Sequence, residues 1–264
     1  MKNTSMRLFQ FACLALIAGL PLFAQPAADL YLAPVQLETR ATTITPQQAA
    51  EDSVTLQELS HSVPSRARRE MEKGVQALAK HIYQQALVHL LRAVENDPEY
   101  VAARNNLAAV YMSMGNPDAA VSQLKAAVQL DSYRAILFNN LAVVYWMLNR
   151  YSDAEGVARI AVRLAPSLDS ARTILGIALF QQRQYTGEAL RYLSGAGADY
   201  PFIRLMCARI LIAQGQGDIA RTEIKKYLSS GDTKNRSLAE RWLEAMDHPY
   251  PVAVQLEMEK AFLH

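Results

Sequence analysis

Cysteine is nearly absent from this chain. Its 264 residues hold two, Cys13 and Cys207, too few for a disulfide framework or a multi-thiolate metal site. An excess of one charge is also missing. The 27 Lys and Arg nearly balance the 25 Asp and Glu, for a net charge of +2, so no global field points to nucleic acid. Glycine and proline number 11 each, which excludes collagen-like and low-complexity chains. Spacings that carry chemistry are missing too. His61, His81, His89, His248 and His264 form no His-x3-His pair, and there is no Cys-x2-Cys, His-Glu-x2-His, Gly-x-Ser-x-Gly or phosphate-cradling glycine loop. The expectation is a protein without enzyme activity, metal or cofactor. What is present is 51% hydrophobic and 20% charged residues, the balance of a globular chain of one or two domains.

The N-terminus reads as an address. Lys2 and Arg7 precede the apolar run Leu8–Leu20, Pro21 breaks it, and Ala24 supplies a small residue. These are the parts of a secretory signal peptide over residues 1–24, with cleavage after Ala24 and alternative sites at Ala27 or Ala28. The run is short for a span of about 20 apolar residues; an uncleaved anchor is the rival reading. Gln10-Phe11-Ala12 is a poor lipobox before Cys13, which disfavours a lipoprotein. Removing residues 1–24 takes away Lys2 and Arg7, leaving 25 basic against 25 acidic residues and Cys207 as the one thiol. The expected location is outside the cytoplasm, in the periplasm first, with secretion or envelope anchoring as alternatives.

Residues 25–63 hold Pro26, Pro34 and Pro46 among many Ala, Thr, Gln and Ser. Their apolar residues keep no period, so the stretch reads as a leader that buries too little to offset its ordering entropy. Val54–Leu59 is an exception that could dock on the first helices of the chain beyond it. Pro64-Ser65 reads as a stop and a cap before a helix at Arg66.

Self-similarity organises the remainder. Asn105-Asn-Leu-Ala-Ala-Val-Tyr111 lies 34 residues before Asn139-Asn-Leu-Ala-Val-Val-Tyr145. In the same register stand Gly74, Ala108, Ala142 and Gly176, and further on Ala86, Ala120 and Ala154. Within each half-unit, apolar residues fall at i, i+3, i+4 and i+7, one face of a helix. Breakers lie between the halves: Gly115-Asn116-Pro117, Asn149-Arg150-Tyr151, Arg183-Gln184-Tyr185. Asn116 reads as a cap with Pro117 in the first turn, and Ser152–Glu155 and Ser237–Glu240 as capping boxes. Each unit is two antiparallel helices, and the small residues at its eighth and twentieth positions let the backbones approach closely. Such a unit cannot bury its apolar face alone, so it must stack on neighbours.

These residues resemble the tetratricopeptide repeat, in its exported bacterial type. The resemblance implies an all-α fold, a right-handed α-solenoid of about five helix hairpins over residues 64–247 plus a C-terminal capping helix. The units are 67–100, 101–134, 135–168, 169–200 and 201–234, the cap helix is 237–247, and residues 248–264 form a tail. The fourth unit carries an extra residue after Tyr185, and Gly195 and Gly197 predict an early end to its second helix. Cys207 takes the place of Leu107 and Leu141 and reads as a buried apolar side chain.

The resemblance also implies a concave groove lined by positions 2, 5, 9 and 12 of each first helix. That places Asn105, Asn139, Met112, Val143, Trp146, Ile177 and Phe180 as candidate residues binding a protein or peptide. Asparagine amides can pair with an extended backbone, and Trp146 and Phe180 can anchor apolar side chains. Position 12 is equally compatible with packing between repeats. A carboxylate clamp of the kind some members use would fall on Met71, Val75, Asn106, Ile136 and Asn140, of which Asn106 alone fits. The expectation is a non-enzymatic scaffold for a protein partner. A cell-envelope assembly factor for outer-membrane or pilus proteins is the alternative. Membrane contact would run through a retained N-terminus or the basic cluster Arg66-Ala-Arg68-Arg69, which as plain solvated surface needs no function. His81 and His89, flanking the first turn, read as surface residues.

Overall fold

The structure is a computed structural model that describes residues 61–197 and 200–247. The expected signal peptide, the tail and all but the last three residues of the leader lie outside the described residues. Every regular element among them is helical: eleven α-helices and one short 3-10 turn. They are α1 Ser65–Ala79, α2 Tyr83–Asn96, α3 Val101–Ser113, α4 Pro117–Leu130, α5 Ala135–Met147, α6 Tyr151–Leu164, α7 Asp169–Gln181, α8 Gly187–Ser194, α9 Phe202–Ala213, α10 Gly217–Ser229 and α11 Arg236–Asp247. Starts at Val101, Ala135 and Asp169, and at Tyr83, Pro117 and Tyr151, repeat at the 34-residue interval of the sequence. The described chain forms two compact units, one ending at Leu193 and one starting at Ser194.

In the first unit α1 packs on α2, α3 on α4 and α5 on α6, and each of α2, α4 and α6 packs on the next odd helix. The two kinds of helix bury differently. In α2 only Ala86, Leu90 and Ala93 are buried, one stripe; in α5 ten of thirteen residues are buried, on every side. A helix apolar all round is one enclosed by neighbours, and Ala-Ile-Leu-Phe-Asn-Asn-Leu-Ala-Val-Val-Tyr-Trp-Met has that composition.

The hairpin turns share one geometry. His81, Gly115, Asn149 and Arg183, 34 residues apart, all take the left-handed conformation, with φ between 58° and 74°. The next residue's N–H returns to the helix: Ile82 to Ala77 O at 2.9 Å, Asn116 to Tyr111 O at 2.8 Å, Arg150 to Tyr145 O at 2.9 Å and Gln184 to Leu179 O at 3.0 Å. This satisfies carbonyls that the helix end leaves open. Glycine is the unstrained residue there, yet the sequence supplies it only at Gly115 in this unit.

The small eighth position brings paired helices together. A Cβ on Gly74 would lie 2.6 Å from Leu90 Cγ, and one on Gly176 2.7 Å from Leu193 Cγ. The fourth hairpin carries the expected irregularity. Helix α8 starts two residues later than the 34-residue interval from α6 would put it, runs eight residues and ends at Ser194, while Ala189 and Leu193 still bury. Its start is held by Thr186 Oγ1, which accepts from Ala189 N–H at 3.3 Å.

Asn116 caps α4 as expected, its Oδ1 accepting from Ala119 N–H at 3.2 Å, with Pro117 in the first turn. Three other capping expectations are corrected. Ser65 caps nothing: it is the first residue of α1, and Pro64 precedes it without a side-chain bond. Helix α6 starts at Tyr151, so Ser152 lies inside it, and Glu155 accepts from Arg159 and Gln182 instead of the backbone. Likewise α11 starts at Arg236, whose Nε donates to Glu240 at 3.0 Å. In both boxes an available arginine or glutamine outcompetes a backbone N–H for the glutamate.

In the second unit α9 packs on α10 and α10 on α11. Cys207 is buried as expected, and burial pushes its thiol up to about 12, which disfavours the thiolate. Ala220, Ile224 and Tyr227 face inward, and the Tyr227 hydroxyl accepts from Asn235 N–H at 2.9 Å. Helix α11 buries Leu238, Ala239 and Trp242 and exposes Glu240, Arg241 and Glu244, as a capping helix should. Arg221 ties it down through Asp247 and Met246 O.

Candidate functional site

Positions 2, 5, 6, 9 and 12 of α3, α5 and α7 carry no ionisable side chain. They read Ala102, Asn105, Asn106, Ala109 and Met112, then Ile136, Asn139, Asn140, Val143 and Trp146, then Ser170, Thr173, Ile174, Ile177 and Phe180. The charges of these helices sit elsewhere: Arg104 on α3 donates to Pro98 O and Gln123, and Arg172 on α7 pairs with Asp169.

Of the residues the sequence singles out, Met112 is half-buried. Asn105, Asn139, Val143, Ile177, Phe180 and Trp146 have 2, 0, 1, 2, 3 and 8% of their surface exposed. They have the exposure of an interior, where polar contacts are strong and unmet polar groups costly. Phe180 also stacks at a tilt on Tyr185, ring centres 5.4 Å apart.

The asparagines form a relay. Asn139 Nδ2 donates to Asn140 Oδ1 at 3.3 Å, and Asn140 Nδ2 donates to Asn105 Oδ1 at 2.8 Å. Both steps spend donors, and each donation makes that amide's own oxygen a better acceptor. The relay starts at Asn139 Oδ1, which is buried with no hydrogen-bond partner. Asn106 repeats the pattern one hairpin earlier: its Nδ2 reaches Met71 Sδ at 3.7 Å, a weak acceptor, and its Oδ1 is buried without a partner. Two amide oxygens are therefore enclosed without a hydrogen-bond partner. Asn105 and Asn139, which occupy the same position of successive repeats, do not meet directly. Asn105 meets Asn140, 35 residues on, as Met71 meets Asn106.

Ionic groups cluster away from this row, and several were not legible in the sequence. Asp97 and Asp131 are buried. Asp97 accepts from His61 Nε2 at 2.9 Å and from Glu99 N–H; Asp131 accepts from Tyr133 N–H and Arg134. His89 Nδ1 donates to Glu70 at 2.8 Å and Lys73 adds a second bond, together holding the Glu70 carboxyl down to about 2. His81 Nδ1 bonds the Tyr83 hydroxyl at 3.0 Å. Arg159 joins α6 to α8 by two bonds to Glu188 and holds Glu155 as well; Glu188 lies below the usual carboxylate range because of that guanidinium. These groups are fixed by partners and sit as staples between helices. No group of three or more His, Cys, Asp or Glu able to hold a metal occurs among the described residues, and no described helix is long and apolar enough to cross a membrane.

Family models described as tetratricopeptide repeat match residues 77–132, and 108–169 with 139–202. The chain carries a tetratricopeptide repeat array. Human tetratricopeptide repeat protein 6 is 27% identical over 136 residues, which are 52% of this chain and 26% of the relative, so the chain spans about a quarter of that protein. Among solved structures, MamA aligns with a TM-score of 0.55 at 21% identity, over 65% of this chain and 94% of its own. The pilF protein of Pseudomonas aeruginosa aligns with a TM-score of 0.57 at 22% identity, over 75% of this chain and 92% of its own. These similarities establish a tetratricopeptide repeat fold, one that generally serves as a non-enzymatic scaffold.

Proposed function

We propose that this protein is an exported, non-enzymatic tetratricopeptide repeat scaffold that holds a protein or peptide segment along the inner face of α3, α5 and α7. One observation carries the reading. Asn139 and Asn106 each keep a buried amide oxygen without a partner, in a row that carries no charge. Such an orphan costs about 1–3 kcal/mol, a cost a ligand N–H removes on binding. Backbone N–H groups of an extended segment are the commonest donors of that kind, and Val143, Trp146, Ile177 and Phe180 supply the apolar contact around them. The signal-peptide pattern of residues 1–24 supports export, and N-terminal sequencing of the mature protein is expected to start at Gln25. Binding is tested by pull-down from envelope extract with the parent and with Trp146→Ala. An anchoring tryptophan predicts a loss of about 1–3 kcal/mol in affinity at unchanged helicity; lost helicity with unchanged affinity per folded molecule would make Trp146 a core residue only.

A further inference from the structure

Helix α1 departs from the repeats that follow it on one of its faces. At the positions of Arg69, Lys73 and Gln76 the second repeat carries Ala103, Leu107 and Val110, and the third Leu137, Leu141 and Val144. Those later residues are buried, whereas Arg69, Lys73 and Gln76 are exposed. Arg66 and Lys80, also exposed, continue the same line. Spacings of three, four and seven residues put Arg66, Arg69, Lys73 and Lys80 on one side of the helix, over a length of about 21 Å. We infer that this basic stripe docks the array on an anionic lipid surface, a bilayer whose headgroups include acidic phospholipid. The inference does not depend on what the row of α3, α5 and α7 binds.

An end unit needs a polar outer face, but that need selects no sign of charge. The capping helix α11 meets it with both signs: Arg236 and Arg241 are exposed beside Glu240, Glu244 and Asp247. On α1 the one exposed carboxylate, Glu72, lies beside the stripe, and Glu70 is half-buried and bonded to Lys73 and His89. Helix stability does not select the sign either. Arg66 and Arg68 stand in the first turn of α1, where the helix dipole disfavours cations, and that turn holds no acidic residue. The structure also redraws the cluster Arg66-Ala-Arg68-Arg69. Arg68 turns aside to donate to Val63 O at 3.4 Å, while Lys73 and Lys80, further along the helix, join Arg66 and Arg69.

The make-up of the stripe favours lipid over other anions. It holds no apolar or aromatic anchor, which a protein interface buries at its centre; a headgroup layer asks for charge alone. Nucleic acid draws on a broad basic field, and the whole chain carries a net charge of only +2. A straight line of cations on the side of one helix can lie flat along a bilayer, so that each of them reaches the headgroups at once. Each cation so placed is worth about fivefold in partitioning, and the attraction weakens as salt shortens the Debye length. The array would then be held to the membrane by its first helix.

The test mixes the chain from Gln25 to His264, which keeps every described residue, with vesicles of phosphatidylcholine alone or with phosphatidylglycerol added. Co-sedimentation with the mixed vesicles at low salt, little with the neutral ones, and release in about 1 M salt are expected. The variant Arg66→Gln, Arg69→Gln, Lys80→Gln, built with a good helix former, should partition about a hundredfold more weakly at unchanged circular dichroism. The control Lys125→Gln, Lys225→Gln, Arg241→Gln removes the same charge from exposed sites elsewhere and should bind as the parent does. Equal binding to neutral vesicles, binding untouched by salt, a stripe variant that binds like the parent, or a control that loses as much would overturn the inference. So would a preference of the parent for duplex DNA or polyglutamate over the mixed vesicles, which would give the stripe another partner. The salt and lipid comparisons need no variant, so they decide the matter even if the stripe variant misfolds.

Discussion

Replacing Gly176 by Ala isolates the contact on which each hairpin closes. On α7 an added Cβ would sit 2.7 Å from Leu193 Cγ, 2.9 Å from Leu193 Cδ2 and 3.1 Å from Tyr192 Cβ. Leu193 is fully buried, so it has little room to yield. Overpacking a core by one methyl costs about 1–3 kcal/mol. Alanine's better helix propensity returns about 1 kcal/mol, leaving a net destabilisation of about 0–2 kcal/mol. Ala108 and Leu124, both fully buried, hold the equivalent places of the second repeat, so a hairpin with alanine there is attainable, which argues for the lower part of the range. The molecule contains its own control. Gly156 on α6 has nothing within 4 Å of its would-be Cβ, so Gly156→Ala should stabilise by up to about 1 kcal/mol. Urea unfolding followed by circular dichroism at 222 nm, with the slope compared between variants, reads both changes. If Gly176→Ala stabilises as Gly156→Ala does, close approach at the eighth position does not hold the hairpins.

Arg183 is exposed and left-handed at φ 59°; Arg183→Gly should raise stability by about 0.5–1 kcal/mol, the left-handed penalty less the entropy of glycine, read as a higher urea midpoint. Asn140→Ala removes the middle of the relay, leaving Asn105 Oδ1 without its donor and Asn139 Nδ2 without its acceptor, and should cost about 1–3 kcal/mol in the same assay. The Glu70 carboxyl is lowered from 4.5 to about 2 in the folded chain, chiefly by His89. Its stabilising contribution is therefore whole above pH 4.5 and lost as pH falls from there toward 2. Glu70→Gln should flatten that acid limb by about 1 kcal/mol in pH-dependent melting, and an unchanged limb would contradict the assignment.

The hairpin register was legible because it rests on residue size. Alanine or glycine at Gly74, Ala108, Ala142 and Gly176 answers a packing demand that recurs in every repeat, and the buried stripes of α2, α4 and α6 recur with it. The late, short α8 was legible because the shifted Ala189 and Leu193 still had to face inward. Turn geometry at His81 and Arg183 was not, because the backbone bond that closes the helix fixes the conformation whatever the side chain. The partners of the asparagines sit one residue away from the sequence register: equivalent positions align in sequence, but contacts between neighbouring first helices fall 35 apart, so Asn105 reaches Asn140. Capping boxes failed where Arg159 or Arg236 lay within reach of the glutamate. Burial of the candidate row on α5 and α7 was half-legible: an unbroken apolar composition announces enclosure, but not on which faces.

Photocrosslinking in intact cells tests the binding row most directly. A photoreactive residue placed at Asn139 is compared with one at Gln129, which is exposed to solvent on α4. The account predicts a defined protein or peptide product from position 139 and none above background from position 129. Equal products from both positions, or products from position 129 alone, would contradict it.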